Sequence, residues 1–171
     1  MIFRRAALVL SLLIAAGLQS CGVSYGFTSV SIPDNIKTFQ VDFFGYEATL
    51  VEPGIERTFT LALQNLIVQQ TSLDLVTANG DYIYQGEITR YYIAPITATA
   101  DNLASQNRLT IEVNVRFINT KDDEASFEKR FSFFYDYDAN QAMQGATLDT
   151  ALEVIYGQIT QDIVNATLAN W

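Results

Sequence analysis

The chain has 171 residues, 49% of them apolar, and its 11 Phe, 9 Tyr and 1 Trp are enough to fill one sizeable core. It contains no histidine and a single cysteine, which excludes His-based triads, His general bases, His metal ligands and any internal disulfide. With 19 acidic and 10 basic residues its net charge is −9, a field that as a whole repels nucleic acid and anionic surfaces.

The first element is a targeting segment. Arg4 and Arg5 precede an apolar run from Ala6 to Leu18 that is too short for a comfortable bilayer span and ends in small residues. Leu18, Gln19, Ser20 and Cys21 then resemble the lipobox of bacterial lipoproteins: an aliphatic residue, a tolerant position, a small residue and the cysteine that takes the lipid. Residues 1–20 are thus read as a signal peptide and Cys21 as the lipid attachment site, carrying palmitate-type acyl chains. Each buried methylene contributes about 0.8 kcal/mol, so several chains on one residue anchor durably. Gly22, not Asp, follows Cys21, and no acidic run follows it, so the expected location is the periplasmic side of the outer membrane. Without Arg4 and Arg5 the mature chain has eight basic residues against 19 acidic, a net charge of −11.

Residues 21–35 read as a lipidated tether and 36–171 as a single domain. Thr38 to Phe43 alternates strictly, with Phe39, Val41 and Phe43 on one face, as in a half-buried strand. Residues 45–51 turn the chain. Glu52-Pro53-Gly54 opens a helix with Pro53 suited to its first position, and Ile55, Phe59, Leu63, Leu66, Ile67 and Gln70 keep the helical period to near Ser72. Leu73 to Val76 is a short extended piece before the Asn79-Gly80 turn. Three strands follow: Tyr82–Ile93, Arg108–Ile118 and Phe127–Tyr135. The middle one points Leu109, Ile111, Val113, Val115 and Phe117 inward. The third points Phe127, Phe131, Phe133 and Tyr135 inward. The connection 119–125 is a polar hairpin turn, and the longer connection 94–107 holds Ile96 and Leu103, which a purely solvated loop would not need. A long helix from about Ala139 to Leu168 closes the chain, with Leu148, Leu152, Ile155, Ile159, Ile163 and Ala166 as its stripe. The order β-α-β-β-β-α predicts an α+β two-layer sandwich: two helices on one face of a four-stranded mixed sheet, the last three strands an antiparallel meander.

The other sheet face is polar. By alternation it presents Gln85, Glu87, Thr89 and Tyr91, then Arg108, Thr110, Glu112, Asn114 and Arg116, then Glu128, Arg130, Ser132 and Phe134. Two readings of it stay open. One is cross-strand pairing of Arg with Glu on a wet face. The other is an anion site, since the planar guanidinium fork suits phosphate. Arg108, Arg116, Arg130, Glu112 and Tyr91 are the candidate contact residues. Arg90 and Lys129 fall on the inward phase, where their stems would have to snorkel. Glu87 and Glu112 could meet across strands as a glycosidase-like pair, but with thiol, imidazole and phosphate-loop motifs absent an enzyme is the weakest reading. Asp136 and Asp138 flank Tyr137, with Asp138 expected to cap the final helix. No cofactor or metal is called for.

The cysteine followed by Gly-Val-Ser-Tyr-Gly-Phe, the element order, Gly86-Glu87-Ile88-Thr89, Asn107-Arg108-Leu109-Thr110-Ile111 and the closing Ala169-Asn170-Trp171 together resemble the LptE family of lipopolysaccharide-assembly outer-membrane lipoproteins. That resemblance implies a non-enzymatic protein that plugs the large outer-membrane β-barrel LptD, supports its assembly and contacts lipopolysaccharide in transit. Membrane contact would be through the lipid anchor, and nucleic acid is not expected as a partner. The alternative is a free periplasmic lipoprotein that binds a small amphiphile or another envelope complex.

Overall fold

In the computed structural model, residues 32–50, 52–96 and 106–168 are described. The alternation at Thr38 yields strand β1 (Thr38–Val41), with Phe39 and Val41 buried. The chain then makes β2 (Gly45–Tyr46), helix α1 (Ile55–Gln70), β3 (Asp74–Leu75), β4 (Tyr82–Ile96), β5 (Gln106–Asn119), a 3-10 turn (Asp123–Ala125), β6 (Phe127–Asp138) and helix α2 (Ala146–Leu168). The strands form one mixed sheet in the order β3-β1-β4-β5-β6, with β2 beside β4 beyond the end of β1. β1 pairs parallel with β4, and β4, β5 and β6 form the expected antiparallel meander. The α+β class and the two-helix arrangement therefore stand. The strand count is six rather than four, because β2 and β3 are two residues long, too short for any periodicity to reveal.

Both helices lie against the apolar face. Ile55, Phe59, Leu63 and Ile67 of α1 and Leu152, Ile155, Ile159 and Ile163 of α2 are buried with Tyr84, Ile88, Leu109, Ile111, Val113 and Val115 of the sheet. Edge-on aromatic pairs join the layers: Phe44 on Phe59 at 4.9 Å and Phe59 on Tyr156 at 5.2 Å. The Tyr156 hydroxyl donates to the Ile55 carbonyl at 3.1 Å, and the Gln70 side chain donates to that of Gln161 at 2.7 Å, so the helices are also tied by polar contacts. Tyr84 closes its buried hydroxyl on Thr167 at 3.1 Å.

Three boundaries differ from expectation. α1 starts after Gly54, whose φ of 88° places it in the left-handed region open to glycine, so Pro53 precedes the helix instead of beginning it. α2 starts at Ala146, not Ala139: the Asp138 carboxylate accepts from the Asn140 N–H and amide at 2.8 and 2.9 Å, closing a turn there in place of capping a helix. β4 runs on to Ile96 and β5 begins at Gln106, so the flanks of the 94–107 connection are paired strand. Its middle, residues 97–105, lies outside the described residues, as do the signal segment, Cys21 and the closing Ala169-Asn170-Trp171.

Candidate functional site

Register assembles the open face of the sheet. Arg108 on β5 stands opposite Asp136 on β6, Asn114 opposite Arg130, and Arg116 opposite Glu128. Arg108 donates through Nε and Nη2 to the two Asp136 oxygens at 2.6 and 2.8 Å, and its guanidinium lies 3.6 Å from the centroid of the Phe134 ring. This two-pronged bond holds the Asp136 carboxyl below its ordinary range. Arg116 reaches Glu128 at 3.3 Å. Asn114 donates to both Glu87 (2.8 Å) and Glu128 (2.7 Å), and that bond, followed by the Arg116 charge, lowers the Glu128 carboxyl. Arg130 lies diagonally from Glu112 at 3.8 Å and is 71% exposed, the loosest of the three pairs. Toward the far edge, Asp42 accepts from Gln40 and from Gln85, at 2.5 and 2.6 Å.

The face thus resolves in favour of cross-strand pairing. Arg108, Arg116 and Arg130 are brought onto one surface as expected, but each cation meets a carboxylate of the same sheet. What the face offers a partner is a fixed lattice of alternating charge, with Tyr92 (54% exposed) and Phe134 (41%) as its aromatic points. Glu87 and Glu112 are each engaged separately, Glu87 by Asn114 and Glu112 by Thr89 and Arg130, so they form no acid pair.

Tyr91 is a correction. Strict alternation puts it on the open face, yet it is 4% exposed and packed in the core. The cause is a bulge: Ile88 pairs with Val113 and Arg90 with Glu112, leaving Thr89 as an extra residue on β4. From there on the phase of β4 reverses. Tyr91 turns inward, where burial raises its phenol to about 12, and Arg90 turns outward to lie across from Glu112. The sequence carried the signal. Thr89 and Arg90 are two polar residues in succession where the pattern allows one, and the extra residue relieves Arg90 of an inward position.

Sequence reasoning also missed three side chains that position the face. The Asp81 carboxylate accepts from the Lys37 N–H (2.9 Å), the Thr38 N–H (3.0 Å) and the Thr38 hydroxyl (3.0 Å), and pairs with Lys121 at 2.9 Å. One carboxylate thus ties the start of β1 to the β5–β6 turn, and these bonds hold it well below the usual carboxylate range. Thr60, buried on α1, accepts from the Phe44 N–H at 3.2 Å and donates to the Glu56 carbonyl. Buried Tyr156 has its hydroxyl pushed far up by desolvation and acts as a hydrogen-bond donor. An aspartate beside a glycine in a turn, and a threonine on an apolar helix stripe, give no hint of partners on other elements.

Among the described residues, no cluster of three or more acidic or cysteine ligands forms, and no helix is long and apolar enough to cross a membrane. A groove of about 710 Å³ lies between the helices and is lined by Ala62, Leu66, Leu152, Tyr156 and polar neighbours, all of them helix residues.

The described residues thus form a two-layer α+β domain: a helix-backed mixed sheet whose outer face pairs Arg108, Arg116 and Arg130 with its own carboxylates. The family model described as LptE, lipopolysaccharide-assembly, matches residues 36–167, and the chain belongs to that family. No curated protein sequence matches it. Among solved structures, a minor lipoprotein from Acinetobacter baumannii superposes with a TM-score of 0.51 at 10% identity, covering 78% of this chain and 94% of its own. Uncharacterized lipoprotein B from Nitrosomonas europaea gives 0.51 at 16% identity over 84% and 91%. The PelC dodecamer from Paraburkholderia phytofirmans gives 0.50 at 11% identity over 83% and 96%. At these identities the likeness is one of fold.

Proposed function

We propose that this member of the LptE family is an outer-membrane lipoprotein, anchored through Cys21 on the periplasmic side, that plugs an LptD-like lipopolysaccharide-export β-barrel and supports its assembly. The observation that carries the reading is the family match across the whole of the folded domain. The open face supports it. A barrel lumen is water-filled and lined with polar side chains, and a rigid surface of alternating charge can meet such a wall without burying an unpaired ion. Two of the proteins that share the fold are lipoproteins, in keeping with the lipobox. The anchor raises the effective concentration of the domain beside the barrel.

On this reading Arg108 and Arg116 act mainly by fixing the face, since Asp136 and Glu128 already hold them. Among the three predicted arginines, Arg130 is the first choice for contact with the barrel or with lipopolysaccharide in transit, because it is the most exposed and the least tightly paired. Glu112 contributes by holding Arg130, and Tyr91 is withdrawn as a contact because it is buried. A carrier of small amphiphiles has less support: it would need an apolar chamber between helices and sheet, whereas the 710 Å³ groove is bordered by helix residues only and carries Asp149 and Glu153.

The test is gentle detergent extraction of the lipidated protein and identification of what co-purifies. A stoichiometric large outer-membrane β-barrel is expected; a protein that runs alone would favour the carrier instead. Cys21→Ala is expected to release the protein to the soluble periplasm, and retention in the membrane would refute the anchor.

A further inference from the structure

The two edges of the sheet are unlike. One ends in β3, two residues long. The other ends in β6, twelve residues from Phe127 to Asp138, with no proline and with one unbroken register against β5 from Phe117↔Phe127 to Gln106↔Asp138. Proteins normally blunt such an edge with proline, a bulge, a short strand or inward-pointing charge. Here Lys129 serves that purpose near one end, while Phe131-Ser132-Phe133-Phe134-Tyr135 carries no charge at all.

The direction of the edge groups follows from the ladder. The carbonyls of Tyr84 and Ile88 accept from Asp42 and Glu47, so these β4 residues face β1 and β2. Gln85 and Glu87 therefore face β5, where they meet Arg116 and Asn114. Antiparallel strands alternate which neighbour each residue bonds, so the odd-numbered residues of β5 face β6, and through the constant register the odd-numbered residues of β6 face back. Glu128, Arg130, Ser132, Phe134 and Asp136 then point N–H and C=O out of the sheet. None of these groups has a backbone partner among the described residues. Phe133 and Tyr135 pack against the core but are only half-buried, unlike the fully covered inward residues of β5, and the Phe133 ring reaches the edge to stack on that of Phe134 at 5.5 Å.

We infer that the β6 edge from Glu128 to Asp136 is a docking site for an extended strand of the partner chain, which joins the sheet as a further strand. Main-chain bonds to the five outward residues supply affinity, and alternating side chains supply specificity. The strand that fits carries apolar residues on its helix-side phase, where they complete the cover of Phe133 and Tyr135. It carries a carboxylate on the open-face phase beside Arg130. This inference rests on the barrel reading above, which names the partner, and adds the surface and the mode of contact.

The experiment uses the full lipoprotein in intact envelopes. Position 134 receives the photoreactive residue p-benzoylphenylalanine in place of Phe134, and a control receives it in place of Leu75 on the opposite edge. In parallel, Ser132→Pro removes one outward N–H and places a ring in the path of a docking strand; because Ser132 does not bond β5, the ladder is spared. Expected is a cross-link from position 134 to one extended segment of the barrel chain, different from whatever segment position 75 meets across the lumen. A loss of at least tenfold in barrel co-purified with Ser132→Pro is also expected, with the thermal midpoint of that variant unchanged. If a folded Ser132→Pro keeps the barrel in full, the edge inference fails and the barrel reading stands. A cross-link from position 134 to a second copy, or to residues 22–31 of the same chain, overturns the inference even where Ser132→Pro does not fold. If the unsubstituted protein brings down no barrel, the reading and the inference fall together.

Discussion

Gly86 sits at the centre of the meander, and Gly86→Ala tests whether β4, β5 and the Phe44 ring are packed as closely as the structure has them. A Cβ on Gly86 would lie 2.0 Å from the Asn114 carbonyl oxygen and 2.8 Å from Cε1 of Phe44. Relief to the shortest ordinary contact, 3.4 Å, requires the methyl and the Asn114 oxygen to part by a further 1.4 Å. The obstacle is main chain, so no rotamer change can absorb it. The two strands must separate locally, at the point where Asn114 also bridges Glu87 and Glu128. Losing one or two ladder bonds costs about 0.5–1.5 kcal/mol each, and overpacking adds about 1–3 kcal/mol. The expected loss is about 3–4 kcal/mol, a large share of the total stability of a domain this size. Gly157→Ala is the matched control: nothing lies within 4 Å of its Cβ, and in a helix interior the same change should stabilise by about 0.5–1 kcal/mol. Urea unfolding followed by far-UV circular dichroism measures both. A Gly86→Ala protein within 1 kcal/mol of the parent would show that the close approach of Asn114 and Phe44 is wrong.

Three further outcomes are expected. Asp81→Asn should weaken the protein at neutral pH, and the gap should close in acid. The folded Asp81 carboxyl lies below its ordinary value of 3.8, so its stabilisation is complete above that value and drains away as pH falls through the lower, folded one. Thermal midpoints of parent and variant between pH 7 and pH 2 give the comparison, and a constant gap would contradict the clamp. Thr60→Val leaves the buried Phe44 N–H without its acceptor and should cost about 1–3 kcal/mol by urea unfolding; a neutral result would mean that Phe44 finds another partner. Arg108→Lys should lower the thermal midpoint more than Arg116→Lys, because a lysine cannot reproduce the two-pronged bond to Asp136 or the stacking on Phe134; equal effects would argue against that geometry.

Local pattern in the amino-acid sequence was enough for the class and the order of this fold. Period-two runs such as Leu109 to Phe117 and the stripe from Leu152 to Ile163 are long enough to state which face of each element is apolar, and two helices with a meander have few ways to bury those faces. It also placed Arg108, Arg116 and Arg130 on one surface. Family membership was legible too, in a set of short stretches spread along the chain. What that surface is depends on how the strands are paired in three dimensions. Whether an arginine is a free cation or half of an ion pair depends on which residue the register sets opposite it, and the register depends on turns and on a bulge. A single extra residue at Thr89 sent Tyr91 into the core and Arg90 out of it, because a side-chain period of two turns a shift of one into a change of face. The Asp81 clamp, the Thr60 acceptor and the place of β6 at the sheet edge were invisible for the same reason: each is a relation between segments distant in sequence, and local periodicity records only which side of its own element a residue prefers.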